Sequence, residues 1–353
     1  VPQLFDPIVI RGLEIKNRAW VSPMCQYCAK DGIVGEWHHV HLGSFASGGA
    51  GLIIAEASGV VAEGRISIGC PGLYNEAQVA AWTPITEFAH SMGAKIGIQL
   101  AHAGRKAGTA LPGSDHLMAT AEEGGWQAVA PSAIAFEGYA VPHALTVEEI
   151  HGLVKEFGAA AKRAIKAGFD LVEIHAAHGY LLHEFYSPLS NQRTDEYGGD
   201  FEGRVRFLKE VVQEVRASIG ESVPLFVRIS ASDWTEGGWT IEDSVRLANE
   251  LIPLGVDLID TSSGGNVPNA KIAVGPGYQV AFSEAIKRKS AMKTSAVGMI
   301  TDPVQANTII ESGQADAVML AREFLRNPRW PLHAAHVLGA EIKWPAQLVR
   351  GKL

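Results

Sequence analysis

TVEEIHGLVKEFGAAAKRAIKAGFDLVEIHAAHGY, residues 146–180, contains one full repeat of the pattern that decides the fold. Thr146-Val147-Glu148-Glu149 reads as a capping box, in which the threonine side chain and the glutamate three residues on satisfy each other's free backbone N–H. Apolar residues then recur at helical spacing to Ala167, and Gly168 supplies the stop. Residues 171–176 are a short, mainly apolar run that ends with His175, and just past it come His178 and Tyr180. Helix, glycine stop, apolar strand and polar strand end form an αβ unit whose chemistry sits at the C-terminal tip of the strand.

The same unit recurs along the chain. Apolar runs at 19–24, 51–57, 95–101, 171–176, 225–230, 258–262, 294–299 and 317–321 supply eight strands, and amphipathic stretches lie between them, such as 201–219 closed by Gly220. Strands alternating with helices imply a parallel sheet. Eight units within 353 residues fit an α/β (β/α)8 TIM barrel. An N-terminal hairpin at 5–16 is expected to plug its floor. The long segment 106–145 after strand three is expected to be a lid, and residues 1–353 form one domain. An open doubly wound sheet fits less well, because the first strand runs into Ser22-Pro23-Met24-Cys25 and not into a Gly-x-Gly-x-x-Gly turn.

Composition narrows the function. The chain is 47% apolar and 19% charged with a formal charge of −8, and no cluster of lysine and arginine forms a footprint for nucleic acid or an anionic membrane. Three cysteines, Cys25, Cys28 and Cys70, are too few for a disulfide framework and suggest a reducing compartment. The N-terminal VPQLFDPIVIRG lacks a basic region followed by an apolar stretch, and no apolar run reaches the ~18 residues of a membrane span, so a cytoplasmic location is expected.

In such a barrel the strand ends converge on one site. They carry Ser22, Pro23, Met24, Cys25 and Tyr27; Glu56, Ala57 and Ser58; Gln99 and His102; His175, His178 and Tyr180; Arg228; Ser262 to Gly265; Gly298; and Arg322. That set suits a flat, polar-edged, phosphorylated ligand such as FMN. Gln99 offers donor and acceptor to a pyrimidine edge, and Arg228 a permanent cation near N1 and O2. Arg322 offers a fork to phosphate, with Gly264, Gly265 and Gly298 allowing close backbone approach.

The segments SPMCQY (22–27), QLAHAGRKA (99–107), EIHAAHGYLLHEF (173–185) and SPLSNQRTDEYGG (187–199) resemble the Old Yellow Enzyme family, and Cys25 with HAAHGY resembles its thermophilic-like ene-reductase and xenobiotic-reductase class. The resemblance runs over essentially the whole chain. It implies FMN contacts from Ser22, Pro23, Met24, Cys25, Ala57, Gln99, His175, Arg228, Gly298, Ala321 and Arg322, and a substrate face made by Tyr27, His175, His178 and Tyr180. It implies NADPH or NADH as hydride donor, and an Arg350 that enters a neighbouring subunit's site in a homodimer or homotetramer. Ala321 stands where the family often has glycine, which alters an expected backbone contact to phosphate. Trp330 falls in a segment that varies within the class and is counted with the substrate pocket.

The chemistry that follows is reduction of an activated C=C bond. His175 and His178 polarise a carbonyl or nitro oxygen, a type of donor commonly worth ~10²–10³ in rate. Tyr180 gives its proton to the α-carbon. Cys25 touches the flavin and tunes it, and Lys106 meets flavin, substrate or nicotinamide phosphate unless it is a solvated rim lysine. A metal at His175-x-x-His178 is not expected, since a zinc hydrolase on this barrel would want further His or Asp ligands at other strand ends, and adjacent residues of the His38-His39-x-His41 cluster diverge on a helix start. Cys25-x-x-Cys28 lacks the second pair of a zinc site. Arg193, Asp195 and Tyr197 are expected to brace a loop. The competing functions are another FMN barrel, such as a hydroxy-acid oxidase, and a flavin-binding redox sensor without rapid turnover.

Overall fold

The computed structural model describes residues 1 and 3–352. Eight parallel strands close into a barrel: β1 Ala19–Val21, β2 Leu52–Gly59, β3 Lys95–Ala101, β4 Leu171–Ala176, β5 Leu225–Ser230, β6 Leu258–Ser262, β7 Lys293–Val297 and β8 Ala317–Leu320. Each strand pairs with its sequence neighbours, and β8 closes on β1 through Val318 beside Ala19 and Leu320 beside Val21. The helices between them pack outside, against a core of strand and helix side chains that includes Phe45, Trp82, Phe157 and Val211.

Strands three to six have the expected ends, whereas β1 stops at Val21, three residues early. Ser22 still donates its N–H to the Leu320 carbonyl (2.9 Å), but Pro23 has no N–H and the ladder ends there. β2 runs two residues longer than expected and bulges: Ala55 pairs with Ile98 and Ser58 with Leu100, so Glu56 and Ala57 together oppose Gln99. The bulge re-aims both residues at the rim.

The helix Val147–Lys166 carries its capping box as expected, with Thr146 Oγ1 accepting from the Glu149 N–H (3.2 Å) and the Glu149 carboxylate from the Thr146 N–H (2.7 Å). The antiparallel hairpin of Ile8–Ile10 and Leu13–Ile15 places Ile8, Ile10 and Ile15 in one apolar cluster with the inward residues Trp20, Leu52, Ile54, Leu171, Phe226, Leu258 and Met319. Trp20 stacks on Phe226 (centroids 5.9 Å apart) and donates Nε1–H to the Asn17 carbonyl (2.9 Å), so the barrel floor is dry and sealed.

The segment 106–145 is mostly irregular, with one short pair of strands, Val129–Ala130 and His143–Ala144. Arg193 anchors it by donating Nη1–H groups to the Pro131 (2.9 Å) and Leu145 carbonyls while its Nε and Nη2 hold Asp195. Tyr197 donates to Glu210 (2.8 Å), so this trio braces the loop as its sequence suggested. Phe136 of the insertion lies over Arg105 and Lys106 at the rim (5.4 and 4.8 Å). No helix among the described residues is long and apolar enough to cross a membrane.

Candidate functional site

The turn after β4 carries the densest chemistry, and four groups hold it. The Ser230 hydroxyl accepts the His178 N–H (2.8 Å), His183 Nδ1 accepts the Gly179 N–H (2.9 Å), and the Ala177 carbonyl accepts the Tyr180 N–H (3.1 Å). Lys106 donates from its ammonium to the His178 carbonyl and to the Gly265 carbonyl (2.8 Å). His183 is itself fixed by Asp233 (2.7 Å), both side chains being fully buried, and Asp233 also accepts from Ser187 and the Trp239 N–H. Burial works to raise Asp233, but His183, Ser187 and Trp239 outweigh it and hold the carboxylate below its ordinary value. His178 adopts φ +61°, a left-handed conformation that a non-glycine residue keeps only when its surroundings over-determine it.

The rings of His175 and His178 meet edge to face (5.2 Å), and the Tyr180 ring stands edge-on to His175 (5.0 Å). His175 Nδ1 accepts from the Ala177 N–H (3.3 Å), which in a neutral ring places the hydrogen on Nε2. His178 Nε2 lies 2.7 Å from the Ser262 hydroxyl, leaving Nδ1 for a ligand. Burial, reinforced by the Arg228 charge, holds both histidines well below the ordinary imidazole value. Burial likewise pushes the Tyr180 phenol well up. Two neutral imidazoles and a protonated phenol therefore share one rim.

Arg228 pairs in register with His175 on the adjacent strand, and Gln99 and the 22–27 segment complete the set. Arg228 is buried, donates Nη1–H to the Ser22 hydroxyl (3.1 Å) and sets Nε 3.2 Å from Asp260. Gln99 donates Nε2–H to Glu173 (2.8 Å), which turns its carbonyl oxygen the other way as an acceptor. Cys25, Glu56 and Cys70 bring their ligand atoms within 4.8 Å of one another. A hydrogen bond with Cys70 and then burial push the Cys25 thiol well up, so it is a neutral donor and not a thiolate nucleophile. Glu56 accepts the Gln26 N–H (2.9 Å) and lies 3.2 Å from His38 Nε2. Burial and then Cys25 raise the Tyr27 phenol.

Several sequence readings change here. Trp330 is 2% exposed, donates Nε1–H to the Thr301 carbonyl (2.8 Å) and packs on Phe324, so its ring has no face for a substrate. Lys106 is neither a solvated rim lysine nor free for a phosphate: both carbonyls it holds are loop-fastening contacts, and burial lowers it to about 8. Gly265 serves loop contact and not phosphate approach, because a Cβ there would lie 2.6 Å from His178 Cα. Ala321 sits at φ −112°, where alanine needs no glycine-only conformation. Gly298 has φ +127°, and Arg322 is exposed on the first turn of Arg322–Arg326. Met24 is partly buried against the core, Pro23 is half-buried and Ala57 is buried on the bulge. Arg350 lies exposed on the turn Val349–Gly351. Sequence reading missed Glu173, Asp260, Cys70 and the His183–Asp233 pair; the inward parity of β4 and β6 was the available signal for the first two.

These groups fit a flavin. Gln99 keeps an acceptor, Arg228 presents a cation beside Ser22, and the Arg228 Nε is a buried donor lacking a well-aligned partner. Comparison with known proteins agrees. A model of the NADH:flavin oxidoreductase / NADH oxidase family matches residues 3–341. The chain is similar to the NADPH dehydrogenase of Bacillus subtilis, with 48% identity over 99% of each chain. Among solved structures, an old yellow enzyme homologue from Zymomonas mobilis shares 33% identity with a TM-score of 0.80, covering 97% of this chain and 94% of that one. Morphinone reductase in complex with tetrahydroNAD shares 30% identity with a TM-score of 0.80, covering 98% and 93%.

Proposed function

The chain belongs to the NADH:flavin oxidoreductase / NADH oxidase family, in its Old Yellow Enzyme class, and from that premise we propose that it reduces the activated C=C bond of α,β-unsaturated carbonyl or nitro compounds. It is an FMN-dependent oxidoreductase with a nicotinamide as hydride donor. When bound, FMN supplies a carrier that is filled by the nicotinamide and emptied onto the β-carbon of the alkene. Ser22, Pro23, Met24, Cys25, Ala57, Gln99, Arg228, Gly298, Ala321 and Arg322 would hold it.

The observation that carries the reading is the single turn bearing His175, His178 and Tyr180 in edge-to-face contact, all in their neutral forms. His175 Nε2–H and His178 Nδ1–H take the substrate's carbonyl or nitro oxygen and stabilise the negative charge that gathers there as the double bond is attacked. Because the imidazoles carry no charge of their own, they bind this oxygen without attracting competing anions. Tyr180 transfers its phenolic proton to the α-carbon; a raised pKa keeps that proton in place until the carbanion develops. Tyr27 closes the pocket wall on the Cys25 side. Lys106, fastening the His178 and Gly265 carbonyls, keeps the donors aimed. A hydroxy-acid oxidase would need a base ready to accept an α-proton, and two imidazoles held well below their ordinary values are poor ones.

The proposal extends to assembly: the whole chain is one FMN-binding barrel domain, and Arg350, exposed at the C-terminus, completes a neighbour's pocket in a homodimer or homotetramer. The test is anaerobic addition of NADPH or NADH to the purified yellow protein. Bleaching followed by recolouring with an enone supports the reading. Bleaching that only oxygen reverses, with enones, maleimides and nitroalkenes all inert, rejects it.

A further inference from the structure

Between the sealed floor and the rim, the inward residues of the barrel form a polar layer. Strand register sets Gln99 of β3 beside Glu173 of β4, and Asp260 of β6 between Arg228 of β5 and Ser295 of β7. Glu173 and Asp260 are completely buried, Gln99 and Arg228 nearly so. Two buried carboxyl groups therefore lie near one guanidinium, and only one of them contacts it. Its Nε faces Asp260 (3.2 Å) and its Nη1 faces Ser22. Asp260 accepts from the Ser295 hydroxyl on Oδ1 (3.1 Å), and its Oδ2 makes no well-aligned hydrogen bond but has the Arg228 charge beside it.

Glu173 has a single protein donor, the Gln99 amide on Oε1 (2.8 Å), and its Oε2 is buried with no partner. An ionised carboxylate so placed would leave one oxygen desolvated and unpaired, which is among the most expensive arrangements a protein interior can hold. A carboxylic acid there is uncharged. Burial, then the Asp260 charge, push Glu173 up to about 8, with Arg228 and the Gln99 hydrogen bond acting the other way. Asp260 is raised by burial too, but Arg228 and Ser295 oppose the rise. Asp260 is thus the anion that answers Arg228, and the layer is neutral with the proton on Glu173. The next inward residue of β4, His175, which lies beside Arg228, is neutral.

We propose that Glu173 is a positioning acid of the flavin site, a neutral carboxyl that orients the Gln99 amide and, in alkaline medium where it has ionised, takes up one solvent proton each time the cofactor above it receives electrons. This rests on the family reading that FMN lies across the mouth. The balance is simple. With FMN bound, the nicotinamide's hydride would bring two electrons and added negative charge to the site, which would favour the protonated form of Glu173, and water would supply the extra proton. No other oxidant or reductant takes part.

The experiment is a spectroelectrochemical titration of the holoenzyme on both sides of pH 8, with wild type, E173Q and D260N compared. Glutamine reproduces the neutral acid, accepting from Gln99 and offering a donor at the second position. In wild type, proton uptake per electron pair rises by one above about pH 8. Each such proton changes the equilibrium tenfold per pH unit, about 30 mV for a two-electron couple. E173Q matches wild type on the acid side and lacks the break, and D260N keeps the break but at lower pH, because the Asp260 charge that raises Glu173 is gone. Parallel lines for wild type and E173Q at every pH, or a break lost only in D260N, overturn the proposal. Infrared spectroscopy of the apo-protein is the second readout: Glu184 is raised to about 8 as well, so the wild-type minus E173Q difference is read, and a protonated-carboxyl carbonyl stretch in that difference, lost as pH rises through about 8, supports the proposal. A difference spectrum without that band at neutral pH overturns it even if E173Q cannot take up FMN. Protein that binds no FMN at all would defeat the family reading and leave the infrared result to judge Glu173.

Discussion

Tyr180 keeps its proton because burial raises its phenol and, among the described residues, no acceptor draws the hydrogen away; the Lys106 ammonium lies over its ring (4.9 Å). Removing the hydroxyl should therefore remove proton delivery and little else. Tyr180→Phe is expected to slow the oxidation of reduced enzyme by an enone ~10²–10⁴-fold while flavin reduction by NADPH stays near wild type. Stopped-flow traces of the two half-reactions check this, and equal slowing of both would discredit the assignment. Cys25 is a neutral free thiol, hydrogen-bonded with Cys70 beside Glu56. Cys25→Ser replaces a weak donor by a stronger one at the flavin edge, so a shifted midpoint potential is the expected outcome of redox titration; an unchanged potential speaks against tuning. At this scale the sequence was legible where residue type and strand end coincide, as for Gln99, Arg228 and the His175–Tyr180 turn. It was misleading for Trp330 and Lys106, since a large aromatic ring and a long cation both read as pocket groups until burial and partners are known.

At the scale of elements, the site depends on one loop leaning on another. Gly179 and Gly265 pass so closely that a Cβ on Gly265 would strike His178 Cα at 2.6 Å, and Gly265 sits at φ +93°. Gly265→Ala is expected to shift the His178 carbonyl off Lys106, raise KM for enones and cost about 1–3 kcal/mol in urea unfolding, as strained backbone does. Wild-type KM and stability would show that the two loops are independent. The floor makes a contrasting case. Trp20 is fully buried against Phe226 and the hairpin, far from the rim residues along the barrel axis. Trp20→Ala should lower stability by about 3–5 kcal/mol and leave the visible spectrum of bound flavin unchanged at low temperature. Equilibrium denaturation with absorbance tests both halves. The strand periodicity was readable because eight apolar runs are bounded by turn chemistry, but the β2 bulge at Glu56 and Ala57 was not, since it exists only in the pairing with β3.

For the molecule as a whole, buried histidines set the acid limit. His102 is fully buried with Nδ1 accepting the Gly104 N–H (3.1 Å), and burial lowers it to about 4; His41 is lowered to about 4 by burial and then by His38. Between pH 6.5 and about 4 the unfolded chain binds protons that these residues refuse, so their contribution to stability falls as pH falls through that window. Glu173 and Glu184, both pushed up to about 8 by burial, act in the opposite sense from 4.5 to 8, so the useful quantity is a difference between proteins. His102→Asn is expected to flatten the acid-side loss by about 3 kcal/mol in urea titrations at stepped pH, and identical slopes would assign the loss elsewhere. What the sequence determined by itself was local and periodic: strand count, caps, the absence of basic patches and the strand-end residues, because spacing along a chain encodes which face a side chain takes. Only the tertiary structure decided which of those side chains meet. That Asp260 pairs with Arg228 while Glu173 pairs with Gln99, that Lys106 fastens two loops, and that His183 and Asp233 hold the turn after β4 depend on barrel closure, which brings residues tens to hundreds of positions apart into a buried interior where each charge must find one particular partner.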